Sequence, residues 1–294
     1  MPNPDLRRRL ADGEFVSAPG VFDMISAKIA DAGPADALYV TGYGTVASHL
    51  GLPDAGIATY TDMVGRVERI TQGVSKPVIA DADTGYGGLL NVHHTVRGYE
   101  RAGVSGIQLE DQEFPKKCGH TPGRRVVPAE DMVRKIRVAC DARGSADLLV
   151  IARTDARSSL GLDEALRRGE AYARAGADIL FIESPETEEE MARIGAAFDV
   201  PVLVNIVHGG RTPVLERDRL RQLGFSIAIY PTVGFLAAAQ AMRTAYAAMA
   251  EGRAEPPVPL YPFTDFNLLM GFAEVWAFDK RHAEIPAGED KNAR

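Results

Sequence analysis

Eight short apolar runs rich in β-branched residues, separated by longer stretches of helical period, constrain this chain more than any other feature. The runs are Phe15-Val16, Leu38-Tyr39-Val40, Val78-Ile79-Ala80, Ile107-Gln108-Leu109, Leu148 to Ala152, Ile179 to Ile182, Val202 to Val204 and Ile227 to Tyr230. Each is brief and nearly continuously apolar, as a strand buried on both faces of a parallel sheet must be. Between them, sets such as Leu89, Val92, Val96 and Tyr99, or Met132, Val133, Ile136, Ala139 and Cys140, lay one apolar stripe along a helix. Pro128 is placed to open a helix, and Ala32-Gly33, Ala102-Gly103 and Ala175-Gly176 to end others. Eight strand-then-helix units in 294 residues predict an α/β fold, a (β/α)8 TIM barrel, for which about 250 residues is typical.

The barrel is expected to occupy residues 1–255, with a C-terminal helical tail over 256–294. Pro256, Pro257, Pro259 and Pro262 interrupt any helix, and a pattern carrying Leu268, Leu269, Phe272, Val275, Trp276 and Phe278 then resumes from Phe266 to Phe278. So much apolar surface has to cover the barrel or a neighbouring subunit, which favours an oligomer. Composition excludes other classes. At 46% hydrophobic and 25% charged the chain is an ordinary globular one, and its formal charge, 33 − 40 = −7, argues against a nucleic-acid partner. No apolar stretch of the roughly 18 residues needed to span a bilayer occurs, and Met1 to Glu14 holds no apolar signal core. With only Cys118 and Cys140 and no C-x-x-C pair, neither a disulfide framework nor a structural zinc site is indicated; a cytoplasmic location is expected.

Reactive groups in a parallel barrel gather at the C-terminal ends of its strands. Here those ends are polar: Thr41-Gly42-Tyr43-Gly44 after the second run, Asp81 to Gly88 after the third, Glu110-Asp111-Gln112 after the fourth, Arg153-Thr154-Asp155 after the fifth, Glu183-Ser184 after the sixth and Asn205 after the seventh. Asp81 and Asp83 are two apart, so on a continuing strand both would point to one side. Glu110 makes a third carboxylate, and three crowded oxygen ligands call for a cation of the Mg2+ or Mn2+ type. Single acids of this kind also cap helices, and that alternative applies to each taken alone.

The stretch from Gln112 to Val127 is long enough to act as a lid and carries Lys116-Lys117-Cys118-Gly119-His120. A cysteine beside lysines and a histidine is expected to have a lowered pKa and to exchange a proton readily. Cys140, on an apolar helix stripe, is expected in the core. Gly42 to Ala47 matches the dinucleotide pattern G-x-G-x-x-A, with Asp62 downstream, but a dinucleotide fold would leave the acidic strand ends unexplained. His93 and His94 lie about 100° apart on a helix, cannot chelate as an i, i+4 pair, and are read as surface residues.

Taken together, DADTGYG (Asp81 to Gly87), Glu110-Asp111-Gln112, KKCGH (Lys116 to His120), IARTDA (Ile151 to Ala156), LPDAG (Leu52 to Gly56) and NIVHGGRTP (Asn205 to Pro213) resemble the isocitrate lyase and phosphoenolpyruvate mutase superfamily over about residues 19–230. Within it the chain looks most like the methylisocitrate lyase, dimethylmalate lyase and carboxyvinyl-carboxyphosphonate phosphorylmutase branch. The resemblance implies a barrel that forms a homotetramer by swapping its last helix. It implies Mg2+ held by Asp81 and Asp83, with Asp54 and Glu110 acting largely through water. It also implies a carboxylate substrate held by the Thr41-Gly42-Tyr43-Gly44 amides and Arg153, in a pocket completed by Gly119, His120, Glu183 and Asn205.

The implied reaction is cleavage of a small 2-hydroxy di- or tricarboxylate to a 2-oxo acid such as pyruvate plus a carboxylate. Cys118 would be the proton donor, with Lys116 and His120 beside it; Tyr43 is a candidate base by position alone. Phosphonate P–C chemistry, including that of a carboxyvinyl-carboxyphosphonate phosphorylmutase, and oxaloacetate hydrolysis or decarboxylation are the alternatives, and a metabolite-binding barrel without turnover is a third. These lyases commonly read N-M-x-E-x-G-x-T-P where this chain has Asn205 to Pro213, so His208 stands in place of a glutamate. That exchange is expected to alter substrate choice and to leave the reaction type intact.

Overall fold

In the computed structural model, which describes residues 1–119, 121 and 123–282, eight parallel strands close into a barrel in strict chain order, the first pairing with the eighth. They are β1 (Val16–Val21), β2 (Leu38–Val40), β3 (Val78–Asp81), β4 (Gly106–Glu110), β5 (Leu149–Thr154), β6 (Ile179–Ile182), β7 (Val202–Asn205) and β8 (Ile227–Tyr230). Every run read from the sequence is a strand or begins one. Only β1 departs much, continuing through Pro19-Gly20 to Val21, because Ser17 to Pro19 pair with Ala228 to Tyr230 and Gly20-Val21 with Tyr39-Val40.

Period-two alternation divides each strand between two cores. Val16, Tyr39, Ile79, Leu149, Ile151, Phe181, Leu203 and Ile229 fill the barrel interior. Their neighbours Val40, Ala80, Ile107, Leu109, Val150, Ala152 and Leu180 pack outward under helices that include Leu89–Ala102, Ala129–Ala142 and Leu162–Arg174. Being apolar on both sides is what made these runs nearly continuous in sequence. Pro128 caps helix Ala129–Ala142 from the position just before it, one residue earlier than the sequence suggests. Cys140 is only partly buried, packing at the edge of the outer core with its thiol directed at the Gly176 carbonyl, 3.2 Å away.

The described residues divide into two compact units, one up to residue 237 and the other from residue 238 to 282. The first holds all eight strands. The second holds the remainder of helix Val233–Ala250, then helices Phe263–Leu269 and Phe272–His282. The sequence pattern suggested one uninterrupted segment from Phe266 to Phe278. It is broken because Gly271 adopts a left-handed φ of 92°, ending one helix and starting the next. Large apolar side chains in this unit are well exposed, among them Tyr246, Leu260, Phe263 and Trp276. Among the described residues no helix is long and apolar enough to cross a membrane.

Candidate active site

Carrying the strand alternation one step past the apolar positions builds the site. Tyr39 faces inward, so Thr41 follows it; Ile79 leads to Asp81, Gln108 to Glu110, Ile151 to Arg153, Phe181 to Glu183 and Leu203 to Asn205. All six terminal residues are buried at one end of the barrel. The opposite parity sends Asp111 and Thr154 outward. There Asp111 accepts hydrogen bonds from Thr154 Oγ1 (2.6 Å), Tyr172 (2.8 Å), Arg168 (3.0 Å) and the Asp155 backbone (2.9 Å), tying the strand ends to helix Leu162–Arg174. Adjacent acids thus have different work: Glu110 faces the mouth and Asp111 braces its wall.

The β3 end does not continue as a strand. Asp83 turns into the left-handed region (φ 49°) and its amide donates to Asp81 Oδ1 at 3.0 Å, so the two carboxylates converge through a turn and not through strand alternation. Backbone held at positive φ in a non-glycine residue is strained, and Tyr86 and Ser184 beside this mouth share the feature. Lys116 reaches in from the segment after β4. Its ammonium is buried against Asp54 and lies 2.7 Å from Asp83. Burial raises the Asp83 carboxyl to about 7 against the opposing pull of Lys116, with repulsion from Asp81 and Asp54 adding to the rise. Burial opposes the charge on Lys116, but Asp83, Asp54 and Glu110 hold it well above the usual lysine range.

A second cluster surrounds Arg153. Its guanidinium donates from Nε and Nη2 to Asp155 (both 2.9 Å), and also approaches Glu110 (3.2 Å) and Glu183 (3.4 Å) over the face of Phe181. Burial pushes Glu110 well above the usual carboxylate range despite Arg153. Burial would also raise Asp155, but Arg153 and Arg124 overcome it and hold that carboxyl low. Glu183 is fixed in turn by the Ser184 amide (2.7 Å) and by Asn205 Nδ2 (3.1 Å).

The segment bearing Cys118 is seated on both clusters. Cys118 N donates to the Asp54 carbonyl (3.2 Å), and Ser184 Oγ donates to the Gly119 carbonyl (2.9 Å). Gly119 has to be glycine: a Cβ there would lie 2.5 Å from Arg153 Nη2 and 2.8 Å from Glu183 Oε2. Gly42 is similarly confined, a Cβ falling 2.7 Å from Asp81 Oδ2. Helix Gly42–Leu50 begins directly after β2 and its N-cap Thr41 makes no side-chain cap, which leaves the first amides available to an anion at the mouth.

The sequence pattern of the phosphoenolpyruvate phosphomutase family matches residues 6–250. This chain belongs to that family. It is 48% identical over 280 residues to 2,3-dimethylmalate lyase of Eubacterium barkeri, a match covering 95% of this chain and 97% of the relative. A 2-methylisocitrate lyase of Aeropyrum pernix is 38% identical over 286 residues, covering 97% and 91%. Among solved structures, oxaloacetate acetylhydrolase in complex with the inhibitor 3,3-difluorooxalacetate superposes with a TM-score of 0.90 at 35% identity, covering 95% of this chain and 96% of that one. The resemblance drawn from the DADTGYG and KKCGH motifs is borne out, and the chain is an enzyme of the lyase class within this superfamily.

Of the residues singled out from the sequence, Asp54, Asp83 and Lys116 meet directly, as do Glu110, Arg153, Glu183 and Asn205, with Asp81, Thr41, Gly42 and Gly119 beside them. Two expected residues stand apart. Tyr43 is about two-fifths exposed, its ring 5.3 Å from that of Phe235, and His208 is exposed on the turn after β7, with no hydrogen bond or ion pair to any described residue. His120 lies outside the described residues. Sequence reading missed roles for Asp155, Arg124 and Ser184. Asp155 was visible at a strand end, whereas nothing in the string Arg124-Arg125 tells that the first is buried and the second exposed.

Among the described residues no three of His, Cys, Asp and Glu already stand as a closed metal-ligand set, and the Lys116 ammonium sits among the acids instead. The donor set nonetheless fits a hard divalent cation. All the donors are oxygens, Asp54, Asp81, Asp83 and Glu110 outnumber the local cations Lys116 and Arg153, and Glu110 Oε1 is buried without a hydrogen-bond partner.

Proposed function

We propose that this enzyme is a Mg2+-dependent (or Mn2+-dependent) carbon–carbon lyase that cleaves a small 2-hydroxy di- or tricarboxylate, resembling 2,3-dimethylmalate or 2-methylisocitrate, to a 2-oxo acid such as pyruvate plus a carboxylate. The observation that carries the reading is the seating of Lys116 to Gly119 on two clusters of buried acids and cations, which brings the cysteine segment to the barrel mouth. The relationship to 2,3-dimethylmalate lyase supports it.

Asp81 and Asp83, aided by Asp54 and Glu110, would hold the cation. When bound it supplies Lewis-acid stabilisation of negative charge on the substrate's oxygens. Arg153 and the amides at the start of helix Gly42–Leu50 bind and orient the substrate carboxylate, and Glu183 and Asn205 shape the pocket floor. A base takes the proton of the 2-hydroxyl, the bond between C2 and C3 breaks with its electrons passing to C3, and the Cys118 thiol gives C3 its proton. His120, two residues after Cys118 in the chain, is assigned to restoring the acid's proton, and Lys116, paired with Asp54 and Asp83, to positioning the segment that carries it. Burial of the strand ends excludes water that would otherwise compete for the carbanion. The protein is taken to be cytoplasmic and to form a homotetramer; the apolar side chains exposed in residues 238–282 support association between copies.

A second reading, hydrolysis of oxaloacetate, is favoured by the fold match to oxaloacetate acetylhydrolase. One experiment separates the two. The protein is incubated with Mg2+ and, in turn, 2,3-dimethylmalate, 2-methylisocitrate, oxaloacetate and phosphonopyruvate, with 2-oxo acids and oxalate measured. Pyruvate from a branched 2-hydroxy acid, abolished by EDTA, is the expected result; oxalate from oxaloacetate alone would establish the second reading, and no turnover of any candidate would refute both.

A further inference from the structure

Arg124 is a buried arginine whose pairing is oddly incomplete. Its side chain is 2% exposed; Nη1 donates to Asp155 Oδ1 at 2.6 Å, while Nη2 is buried with no hydrogen-bond partner. Its neighbour Arg125 is 79% exposed and pairs with Glu113 at the surface, so the chain can place an arginine in water at this point. A short antiparallel bridge between Gln112 and Val126 makes the stretch extended, and the alternation turns Arg124 inward and Arg125 outward. Burying a guanidinium with an unmet donor is a poor way to gain stability. Its partner suggests what it is for.

Asp155 holds Arg153 in plane through two hydrogen bonds of 2.9 Å. It thereby also cancels the charge of the guanidinium it orients. We infer that Arg124 is a positioning residue for Arg153: by pairing with Asp155 it offsets that carboxylate's charge, so Arg153 keeps both a fixed plane and a net positive charge for an incoming carboxylate. Arg153 then exchanges its two looser contacts, Glu110 at 3.2 Å and Glu183 at 3.4 Å, for the ligand and retains Asp155. Because Arg124 lies on the same segment as Cys118, seating that segment and preparing the carboxylate site are one event. The inference rests on the proposal that Arg153 binds the substrate carboxylate, and it concerns binding and not the proton transfer.

The test uses the full chain with Mg2+ and pyruvate as the probe ligand, binding being followed by titration calorimetry and turnover by KM and kcat on the best substrate found. Arg124→Gln removes the charge, and a charge acting on another over roughly 10 Å at an effective dielectric constant of about 20 changes affinity on the order of tenfold. The expected result is therefore a dissociation constant and a KM raised by about that factor with kcat within about threefold of wild type, and recovery of most of the affinity in Arg124→Lys, which keeps the charge. In an Asp155→Asn background, Arg124→Gln is expected to add nothing further, since the charge it offsets is gone.

Unchanged pyruvate binding in Arg124→Gln overturns the inference. So does equal damage from Lys and Gln, which would mean packing, or a full tenfold loss on top of Asp155→Asn. If Arg124→Gln alone does not fold, Arg124→Lys and the comparison in the Asp155→Asn background decide the matter. A wild-type protein that neither binds pyruvate nor turns over any candidate refutes the proposed function, an outcome distinct from any of these.

Discussion

Replacing Lys116 by methionine tests the electrostatics of the mouth with little change in packing. The substitution leaves Asp54 and Asp83, whose side chains are 7% and 9% exposed, without their shared ammonium. Breaking a buried ion pair by removing one partner costs roughly 3–5 kcal/mol. A separate route reaches a similar figure. A carboxyl stranded in such a place takes up a proton, and holding neutral at pH 7 a group whose ordinary value is 3.8 costs about 4 kcal/mol, at 1.36 kcal/mol per pH unit. The ammonium that is removed is the shared partner of both acids, so the cost falls on the pair.

The pH dependence has a definite sign. A carboxyl raised in the folded state favours folding fully only below its ordinary value, and that contribution is lost as pH rises through the folded value. Lysine stays charged across pH 5–7, its folded value being raised further still, so the window belongs to the acids. The variant should therefore be about 4 kcal/mol less stable than wild type at pH 7 and about 2 kcal/mol less stable at pH 5. Urea unfolding at fixed protein concentration, with EDTA present so that no divalent cation replaces the ammonium, measures both. A difference under about 1 kcal/mol at pH 7, or one that grows as the pH falls, would refute the reasoning.

Cys118→Ser should lower turnover at least about a hundredfold while pyruvate still binds with Mg2+; preserved turnover removes Cys118 from the acid role. Gly119→Ala should also cost roughly a hundredfold in kcat/KM, because the new Cβ meets Arg153 and Glu183 at 2.5 and 2.8 Å and both are held in place by other partners, so the segment itself must lift; near wild-type activity would mean that its seating is dispensable. For His208→Glu we expect unchanged chemistry with a shift of roughly tenfold in preference among 2-hydroxy acids, and an unaltered substrate profile would show that the residue plays no part in selection.

Most of the barrel was legible because burial on both faces of every strand writes itself as continuous apolar runs. Most of the mouth was legible for a related reason: parity places Asp81, Glu110, Arg153, Glu183 and Asn205 inward by the alternation that places Ile79, Ile151, Phe181 and Leu203. Where chain direction depends on backbone conformation, sequence was less informative. Asp83 converges on Asp81 through a left-handed turn, and Gly271 divides a tail that reads as one helix. Long-range pairing was the least visible. Lys116 read as a neighbour of Cys118 able to tune its thiol, but its ammonium is committed to Asp54 and Asp83, residues 62 and 33 positions away by their numbers. Arg124 carried no signal, since one arginine of an adjacent pair is indistinguishable from the other until the bridge at Gln112 and Val126 sets the alternation.

These long-range pairs share a pattern. The strand ends and the segment around Asp54 supply acids, and the segment between β4 and helix Ala129–Ala142 supplies two of the cations that answer them, Lys116 to Asp54 and Asp83, and Arg124 to Asp155. Of the groups named here, six carboxylates (Asp54, Asp81, Asp83, Glu110, Asp155 and Glu183) face three cations (Lys116, Arg124 and Arg153), and two of the three arrive on that one segment. The position of the segment is therefore set by charge as much as by packing: lifting it would leave the remaining acids with Arg153 alone. A bound cation and a bound carboxylate act on this balance in opposite directions, the first relieving the acids and the second drawing on Arg153. If Cys118 is the proton donor, as proposed, a pocket two of whose cations lie on the Cys118 segment would couple occupancy of its charged end to placement of the thiol. The distal part of a substrate, which would meet neither cluster, would have no such hold on the segment.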